Sequence, residues 1–467
     1  MVQCSLSMDS RYDHKQQEEV LYKEWEKSGA FEPKKDSNKT FTIMMPPPNA
    51  NDPLHIGHAM FIAIEDILIR YHRMLGDATL WLPGTDHAGI ETQFVFEKKL
   101  KKKKQSRFQF DRETLYKMIW NYVQENSTVA VDQMKKIGAS ADWSRFTFML
   151  DEKVVEQVLG TFLNLHQDEL LYRDEQLVNY CTHCGTSFSE LEVVYQDQNS
   201  PLYYVKYPLV KNPTEFLTVA TVRPEPIFAD THLAVHPEDE DHNHLIGEKV
   251  LNPITNEEME IIGDEFVDPE FGTGIVKLTP AHDANDFAVA KNNNLPIYQA
   301  INLQGKITKN GGKYAGMKVK AAREAVVKDL KEKDLIEKID EKYQNRVGTC
   351  YRCKRPIEPL LLPQFFIRVK QLTQPILEDL KNKKFTVHGA GHDKILKHWL
   401  ENLKDWNISR QIVWGIRIPV WYKAEENPEI VVSFIDQDGE KKTEKLGKLL
   451  EQNISIKTIN KGIQELR

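Results

Sequence analysis

Residues 46–58 read Pro-Pro-Pro-Asn-Ala-Asn-Asp-Pro-Leu-His-Ile-Gly-His and separate two segments of different periodicity. The preceding run, residues 41–45, has the length and apolar character that predict a buried β-strand. The following run, residues 59–68, spaces its apolar residues along one face of an α-helix. The sequence therefore predicts a strand, a proline turn and a helix that opens with His55 to His58.

The predicted helix start is suited to binding phosphate. A helix N-terminus presents unpaired N–H groups and the positive end of the helix dipole. His55 and His58 add imidazole donors, and Gly57 has no Cβ to block the approach of a nucleotide. Two histidines at this spacing, taken alone, are more often zinc ligands or ordinary helix residues. Because the strand, the turn and the histidines occur in this order, we expect a site for the triphosphate of ATP.

A second motif, Gly-Thr-Asp-His-Ala-Gly-Ile, occupies residues 84–90. With both motifs, the sequence resembles the class I aminoacyl-tRNA synthetases and, within them, the valyl-tRNA synthetases. The resemblance extends motif by motif from Tyr12 to Tyr422. Isoleucine enzymes have a different, cysteine-containing form of the second motif, so isoleucyl-tRNA synthetase is the rival within the class.

The resemblance implies both a fold and a reaction. The fold is α/β, with a class I Rossmann-type parallel-sheet catalytic domain interrupted by an inserted β-barrel editing domain. The reaction is that of a valine–tRNA ligase, which uses ATP and Mg²⁺ to convert valine to valyl-adenylate and transfers it to tRNA(Val). No covalent enzyme intermediate is needed, so catalysis depends on positioning and charge stabilisation.

The resemblance also assigns residues to the synthetic site. Asp86 would pair with the valine ammonium group, while Asn49 and the backbone turn at Pro46 would hold the carboxylate end. Trp414, within a segment very similar to the class, would pack against the valine side chain, although a core tryptophan is the alternative. The two histidines would stabilise the transferring phosphoryl group. The expected ATP-binding residues are His55, Gly57, His58 and Gly84.

Two departures from the class concern this site. Asp52 replaces a glycine, and a carboxylate near ATP phosphates is unfavourable unless it points away or holds magnesium. No Lys-Met-Ser-Lys-Ser motif, whose lysines neutralise the triphosphate, follows Tyr422, and residues 423–467 are polar and rich in lysine and glutamate. A helical anticodon-binding domain is also missing. We therefore expect the N-terminal part of a longer enzyme, or one half of a split enzyme with a C-terminal companion polypeptide.

Composition bounds the possible partners. The 467 residues are 40% hydrophobic, as is ordinary for a globular protein, and the length suggests about three domains. The net charge is −7, so contacts with tRNA must come from local basic patches. The most basic run, residues 98–104, favours a solvated helix face. Residues 1–8 look unstructured, and we see neither a membrane span nor a signal peptide, so we expect a cytoplasmic protein.

The cysteines form two Cys-x-x-Cys pairs, while Cys4 lies apart near the N-terminus. In a cytosolic chain, such pairs are typical of metal ligands rather than of disulfides. Because 165 residues separate the pairs, each could belong to its own site with outside ligands such as His183. Alternatively, the entry and exit strands of an inserted domain run side by side, and both pairs share one structural zinc ion. The expected ligands of this favoured site are Cys181, Cys184, Cys350 and Cys353.

The segment between the cysteine pairs contains short β-rich runs broken by Gly, Pro and Asn, such as residues 203–207 and 216–220. These runs predict a small β-barrel. Residues 220–230 and 272–286 resemble the two walls of the editing pocket of the valine, isoleucine and leucine enzymes. Valine enzymes are the known case of an apolar pocket that rejects an isostere with an added hydroxyl, threonine, only about 10²-fold, so they need a second, hydrolytic site.

The resemblance assigns the α-ammonium contact of this editing site to Asp286, whose alternative role is to cap a helix beginning at Phe287. The first wall departs from the usual Thr-Thr-Arg-Pro-Glu-Thr because Val222 and Pro226 each remove a hydroxyl. This change would weaken editing or alter its selectivity. The expected editing residues are Thr221, Arg223, Glu225 and Asp286.

These features predict a division into three parts. Residues 1–195 form the first half of the catalytic domain with the first cysteine pair. Residues 196–343 form the editing domain, and residues 344–467 carry the second pair and the continuation of the catalytic domain. The alternative is a zinc-stabilised module that binds tRNA or edits it without synthetic activity.

Overall fold

The computed structural model describes residues 12–34, 36–37 and 39–466, so the predictions for Cys4 and residues 1–8 lie outside it. No helix within these described ranges is long and apolar enough to cross a membrane. The chain packs as two units, one containing Met1–Leu163 and Ile412–Arg467 and the other containing Asn164–Gln411. We call them unit 1 and unit 2.

The helices and strands are numbered in chain order. The first group is α1 (His14–Lys27), β1 (Thr40–Met44), α2 (Ile56–Met74), β2 (Ala78–Leu82), β3 (Gly84–Thr85), α3 (Gly89–Lys102), α4 (Arg112–Lys136), β4 (Thr147–Phe148) and α5 (Glu152–Gln167). The middle group is β5 (Leu171–Cys181), β6 (Thr186–Phe188), β7 (Val193–Asn199), β8 (Leu202–Pro208), β9 (Phe216–Thr221), β10 (His232–Val235), β11 (Lys249–Leu251), β12 (Glu258–Gly263), β13 (Ile275–Leu278), α6 (Ala284–Asn293), α7 (Val319–Glu332), β14 (Ile336–Asp340), β15 (Gln344–Cys350), β16 (Glu358–Ile367), α8 (Val369–Lys381), α9 (His392–Asn402) and β17 (Trp406–Asn407). The last group is β18 (Val431–Ile435), β19 (Lys441–Lys445), α10 (Leu446–Glu451), α11 (Ile456–Gly462) and β20 (Ile463–Leu466).

Unit 1 is built from parallel strand pairs connected by helices. Strand β1 pairs in parallel with β2, and α2 makes the crossover between them. Strand β3 pairs in parallel with β4, with α3 and α4 between them in the chain. A parallel strand pair needs such a crossover because a tight turn cannot return the chain in the same direction. The mixed α/β organisation is therefore confirmed.

The predicted helix after the proline turn is confirmed as α2. Its inner face carries Ile62 and Ile69, which pack with Trp81 and Met134 in one core cluster. The predicted strand is also confirmed as β1, but its burial is wrong: exposed and partly buried residues alternate along it, and Met44 is 76% exposed. The physical reason is that successive side chains of a strand point to opposite faces: Phe41 and Ile43 pack on the core, and Met44 lies on the other face.

In unit 2, the chain enters and leaves the β-rich segment on adjacent strands. Strand β5 pairs antiparallel with β16, with Tyr180 opposite Glu358. Strand β7 pairs antiparallel with β15, with Val193 opposite Cys350. These two ladders bring both ends of the segment to the same place, as the shared cysteine site requires.

The β-rich segment contains the strands expected at residues 203–207 and 216–220, as β8 and β9. Its ladders form a three-stranded sheet in the order β14-β8-β9 and a four-stranded sheet in the order β11-β12-β10-β13. Helix α7 packs Ala322, Val326 and Leu330 into the same core as strands β8 to β10. Across the described residues these ladders do not close into a ring, so the predicted barrel is not confirmed.

The polar segment after Tyr422 has a core of its own in unit 1. Strands β19, β18 and β20 form a sheet in that order, and α10 and α11 pack on it. Its buried residues are Val432, Phe434, Leu446, Leu449 and Ile459. Sequence reasoning missed this element because lysine and glutamate dominate the composition, although Val431 to Ile435 is a short apolar run of the kind that predicts a strand.

Candidate functional site

The start of α2 is held by its two histidines. His55 is the N-cap, and its Nδ1 accepts a hydrogen bond of 3.1 Å from the N–H of Gly57. The Nδ1 of His58 accepts one of 3.1 Å from the N–H of His55, and the two rings stack with centroids 3.9 Å apart. This exchange reproduces a capping box with imidazoles. Because each Nδ1 is an acceptor, each neutral ring carries its proton on Nε2, so both rings retain a donor.

The environment of His58 favours its neutral form. Burial, and then the neighbouring His55, lower the pKa of His58. Gly57 matters because it has no side chain. A Cβ at this position would lie 3.0 Å from Cε1 and 3.1 Å from Nδ1 of His55. The glycine therefore makes room for the His55 ring, a reason that sequence analysis did not find.

The backbone brings Asn49 and Asp86 side by side. The two residues form a parallel β-bridge, in which the N–H of Asp86 donates to the carbonyl of Pro48 at 2.8 Å. The N–H of Ala50 donates to the carbonyl of Asp86 at 2.9 Å. The side chains of Asn49 and Pro46 are exposed. Two of the predicted valine-binding residues are therefore paired across neighbouring chain segments, and we call this β-bridge the rung of Asn49 and Asp86.

The Asp86 carboxylate is partly accessible and ionised. Its side chain is 37% exposed, and Oδ1 lies 3.2 Å from Nδ1 of His87. Partial burial opposes ionisation, but the contact with His87 and the backbone N–H of Ala88 outweigh it and lower the pKa of Asp86. At neutral pH, Asp86 thus offers a negative charge that can accept hydrogen bonds from a cation.

Trp414 is completely buried in unit 1. Its indole N–H donates to the carbonyl of His87 at 2.7 Å, and its backbone N–H donates to Oε1 of Gln93 at 3.3 Å. The rings of Tyr116 and Trp120 lie 5.3 and 6.0 Å from it. These contacts are those of a core tryptophan. The hydrogen bond to His87 also holds the second motif, residues 84–90, in place. Gln93 was missed by sequence reasoning because an isolated glutamine carries no motif.

Two further predicted residues, Asp52 and Gly84, lie on the surface and in the core, respectively. Asp52 is exposed. Gly84 is buried in β3, and a Cβ there would lie 2.7 Å from the carbonyl oxygen of Thr147 in β4. Close approach of the two strands is therefore a structural requirement for this glycine. The basic run at residues 98–104 ends α3, and its lysines are exposed, as predicted.

We expect Gly84→Ala to lower the melting temperature of the protein by about 3–8 °C, since overpacking against a backbone atom costs about 1–3 kcal/mol. Differential scanning calorimetry measures this change. Gly160→Ala is the matched control, because Gly160 lies inside α5 with nothing within 4 Å of its added Cβ. Alanine is the better helix former, so the control should hold or raise the melting temperature. Equal melting temperatures for the two variants would contradict the packing argument.

The two cysteine pairs meet in unit 2. The sulfur atoms of Cys181, Cys184, Cys350 and Cys353 all lie within 4.8 Å of one another. Sγ of Cys181 is 3.5 Å from that of Cys353, and Sγ of Cys184 is 3.9 Å from that of Cys350. None of the four is in a disulfide, and His183 lies exposed outside the cluster. The first alternative, with separate sites, is therefore wrong.

The spacing of the sulfur atoms fits a tetrahedral metal. Four thiolates about 2.3 Å from one zinc ion would lie about 3.8 Å from one another. The N–H of Cys184 donates to Sγ of Cys181 at 3.4 Å, a bond that supports a charged sulfur in the first pair. Three of the four residues are buried. The cluster can therefore hold one metal ion away from solvent.

Both predicted editing walls line one cleft of about 270 Å³ in unit 2. Thr221, Arg223 and Asp286 line it, as do Val222 and Pro226, where the class has threonine. Glu225 does not line the cleft, because its side chain is completely buried behind the first wall. Lys277, which sequence reasoning missed, also lines the cleft and lies 3.2 Å from the buried carboxylate of Asp230.

Asp286 lies in the first turn of α6 and is almost fully buried. Its Oδ2 accepts a hydrogen bond of 2.8 Å from the N–H of Thr279. Burial, and then the charge of Asp283, raise the pKa of Asp286 to about 7. The helix begins at Ala284 and is capped by Asp283, whose Oδ1 accepts from the N–H of Asn285 at 2.8 Å. The capping alternative for Asp286 is therefore wrong, and its carboxylate is held at the second wall instead.

Glu225 is the buried centre of a network of four charges. Its Oε1 accepts from Nε of Arg223 at 3.0 Å, and its Oε2 accepts from Nε of Arg323 at 2.8 Å. Arg223 also donates from Nη2 to Oε2 of Glu358 at 2.6 Å. The N–H of Arg223 donates to the hydroxyl of Thr221 at 3.0 Å. Sequence reasoning missed Arg323 and Glu358, because they come from α7 and β16, far along the chain.

Comparison with known proteins identifies relatives over most of the chain. The family of class I tRNA synthetases (I, L, M and V) matches residues 20–466. The chain is 40% identical over 439 residues to the valine–tRNA ligase of Treponema denticola, covering 91% of this chain and 48% of that one. It is 43% identical over 418 residues to the valine–tRNA ligase of Petrotoga mobilis, covering 89% and 48%. The chain thus spans about half the length of these curated relatives.

Among solved structures, a LeuRS–tRNA–LeuAMS ternary complex of Agrobacterium radiobacter K84 shows similarity with a TM-score of 0.40 at 16% sequence identity. That match covers 94% of this chain and 53% of the other.

Proposed function

Because the chain belongs to the class I tRNA synthetases (I, L, M and V), we propose that it is the part of a valine–tRNA ligase that activates valine with ATP and edits the product. The observation that carries the proposal is the rung formed by Asn49 and Asp86, with its ionised carboxylate, together with the imidazole pair at the start of α2. The valine–tRNA ligases that match most of the chain support the choice of amino acid. Isoleucine is the rival substrate.

The proposed reaction assigns each group one task. The valine carboxylate attacks the α-phosphorus of ATP, an oxygen–phosphorus bond forms, and the bond to the departing pyrophosphate breaks. Asp86 pairs with the valine ammonium group and so orients the carboxylate. The Nε2–H groups of His55 and His58, with the N-terminus of α2, stabilise charge on the phosphoryl oxygens. Mg²⁺ would neutralise the triphosphate.

The four thiolates are proposed to hold a structural zinc ion. Four cysteine ligands leave no open position, so a metal here would fix the fold rather than take part in hydrolysis. The ion would join two hairpins that are distant in the chain, one at each end of the β-rich segment. Loss of the metal should therefore affect the stability of unit 2 before it affects chemistry.

The finer organisation follows the same proposal. Residues 1–195 and 344–467 would form the catalytic part, with residues 196–343 as a β-barrel editing domain. The cleft lined by Thr221, Arg223 and Asp286 would hydrolyse threonyl-tRNA(Val), with Asp286 pairing with the α-ammonium group and Glu225 supporting Arg223. The partners would then be tRNA(Val), valine and ATP, in the cytoplasm.

One observation favours a second function. The cleft, its charge network and the cysteine cluster all lie within one compact unit, Asn164–Gln411. These residues could therefore act as a zinc-stabilised editing module without amino-acid activation. Editing would then be measurable in a chain that makes no adenylate.

Valine-dependent exchange between ATP and pyrophosphate separates the two functions. If the chain activates valine, exchange should rise on addition of valine and respond much less to isoleucine. Hydrolysis of threonyl-tRNA(Val) without any amino-acid-dependent exchange would favour the editing module. A greater response to isoleucine than to valine would overturn the choice of amino acid.

A further inference from the structure

Both walls of the cleft are tied to the first two residues of β16. At the first wall, Arg223 donates from Nη2 to Oε2 of Glu358 at 2.6 Å. At the second wall, Nδ1 of His282 lies 3.1 Å from the carbonyl oxygen of Pro359. Consecutive residues of one strand thus contact opposite sides of the pocket.

His282 connects the second wall to β16 and to the backbone at Ala300 and Ile301. Its Nε2 accepts hydrogen bonds from the N–H groups of Ala300 at 2.8 Å and Ile301 at 3.2 Å. The proton must therefore be on Nδ1, which donates to Pro359. Burial, and then the charge of Arg223, lower the pKa of His282 to about 3. With both nitrogens occupied, this histidine cannot take a proton from an attacking water molecule, although it lines a candidate hydrolytic cleft.

Arg223 is fixed from two directions. Glu225 accepts from its Nε, and Glu358 accepts from its Nη2, so the planar guanidinium has a defined orientation. Glu225 is itself held by two contacts from Arg323, at 2.8 and 3.0 Å. The side chain of Glu358 is 12% exposed, and Glu358 does not line the cleft. It therefore acts on the cleft through Arg223.

We propose that Glu358 and His282 are positioning residues that set the separation between Arg223 on one wall and Asp286 on the other. The inference rests on the proposed editing function. An ester that contacts both walls reacts only when those contacts are made together, and misplacement by about 1 Å can cost about 10²-fold in rate. The start of β16 lies opposite Tyr180, the neighbour of Cys181. The cysteine cluster and both walls are therefore connected to the same pair of strands, β5 and β16.

Glu358→Gln tests the proposal without changing the shape of the side chain. The amide oxygen can still accept from Arg223, but the charge that holds the guanidinium is lost. We expect the rate constant for hydrolysis of threonyl-tRNA(Val) at saturation to fall about tenfold, with less than a twofold change in KM. The variant should stay folded and keep the metal content of the wild type. Glu358→Asp retains the charge on a shorter side chain and should recover part of the rate.

Glu258→Gln is the matched control. Glu258 pairs with Lys249 at 2.8 Å in the same β-rich segment, but both side chains are about half exposed. This variant should hydrolyse the ester at the wild-type rate. If Glu358→Gln also does so in a wild type that edits, the positioning role is wrong. If Glu358→Gln unfolds, Glu358→Asp decides: a folded, fully active Glu358→Asp contradicts the role. A wild type that does not hydrolyse threonyl-tRNA(Val) overturns the editing function itself.

Discussion

Cys350→Ser is expected to release the metal and lower the melting temperature of unit 2 by at least about 10 °C, since structural zinc sites contribute about 10–16 kcal/mol of apparent binding energy. Sγ of Cys350 lies 3.9 Å from that of Cys184 across the two hairpins. A serine hydroxyl is a poor ligand for zinc, so the remaining three thiolates would lose the closed tetrahedron. Elemental analysis should show about one zinc per wild-type chain and little in the variant.

Cys4→Ser is the control for this experiment, since Cys4 belongs to neither Cys-x-x-Cys pair of the sequence. It should leave zinc content and melting temperature unchanged. A folded wild type with no bound metal, or a Cys350→Ser variant as stable as Cys4→Ser, would refute the structural role of the cluster.

Asp286→Asn is expected to abolish most editing while making the protein more stable at pH 8. A neutral amide cannot pair with the α-ammonium group, and loss of one partner of a buried charge pair costs about 2–5 kcal/mol, or about 10²-fold or more in rate. The amide oxygen can still accept from the N–H of Thr279, so the hydrogen bond at 2.8 Å is retained. The variant therefore removes the buried charge and keeps the packing. Hydrolysis of threonyl-tRNA(Val) measures the loss.

The stability change has a definite sign. Folding raises the pKa of Asp286 from 3.8 to about 7, so between these values the folded state binds more protons than the unfolded state. Stability contributed by this group is thus fully present below about pH 4 and is lost as pH rises through about 7. The advantage of Asp286→Asn in melting temperature should be larger at pH 8 than at pH 5.

Asp268→Asn provides the comparison for both effects. Asp268 is exposed in a turn of the same segment, where its Oδ1 accepts from the N–H of Glu270 at 3.0 Å. Because it removes an exposed charge rather than a buried one, this variant should edit at the wild-type rate and be no more stable than the wild type at pH 8. A less stable Asp286→Asn variant at pH 8, or one that still edits, would contradict the role of the buried carboxylate.

Local features of the site were predictable from sequence. The position of the start of α2, next to His55, follows from the change of periodicity after the proline turn, and the cysteine spacing indicates the type of ligand. That the cysteine pairs meet depends on pairing between β5 and β16, for which the sequence offers two alternatives. The partners of the editing wall were not predictable: Arg323 and Glu358 lie 98 residues from Glu225 and 135 from Arg223. Their identity as partners comes from tertiary packing, which has no local signature.

The burial of individual residues was also set by packing rather than by pattern. An apolar run predicted a buried strand at β1, yet Met44 is 76% exposed because only the face of β1 that carries Phe41 and Ile43 packs on the core. The sequence assigned Trp414 either to substrate or to core, and its complete burial and its hydrogen bonds to His87 and Gln93 come from tertiary packing. In the same way, Gly57 and Gly84 are explained by contacts with neighbouring atoms that no motif specifies.

Valine-dependent ATP–pyrophosphate exchange, measured for the wild type and for Asp86→Asn, is the most direct test of the proposed function. Asp86 is ionised and partly exposed beside Asn49, so its loss should remove the ammonium contact and lower the exchange rate about 10²-fold. The wild type should respond to valine at least about tenfold more than to isoleucine, because the pocket must exclude one extra methylene. Exchange that is independent of valine, or that is equal in wild type and Asp86→Asn, would contradict the proposal.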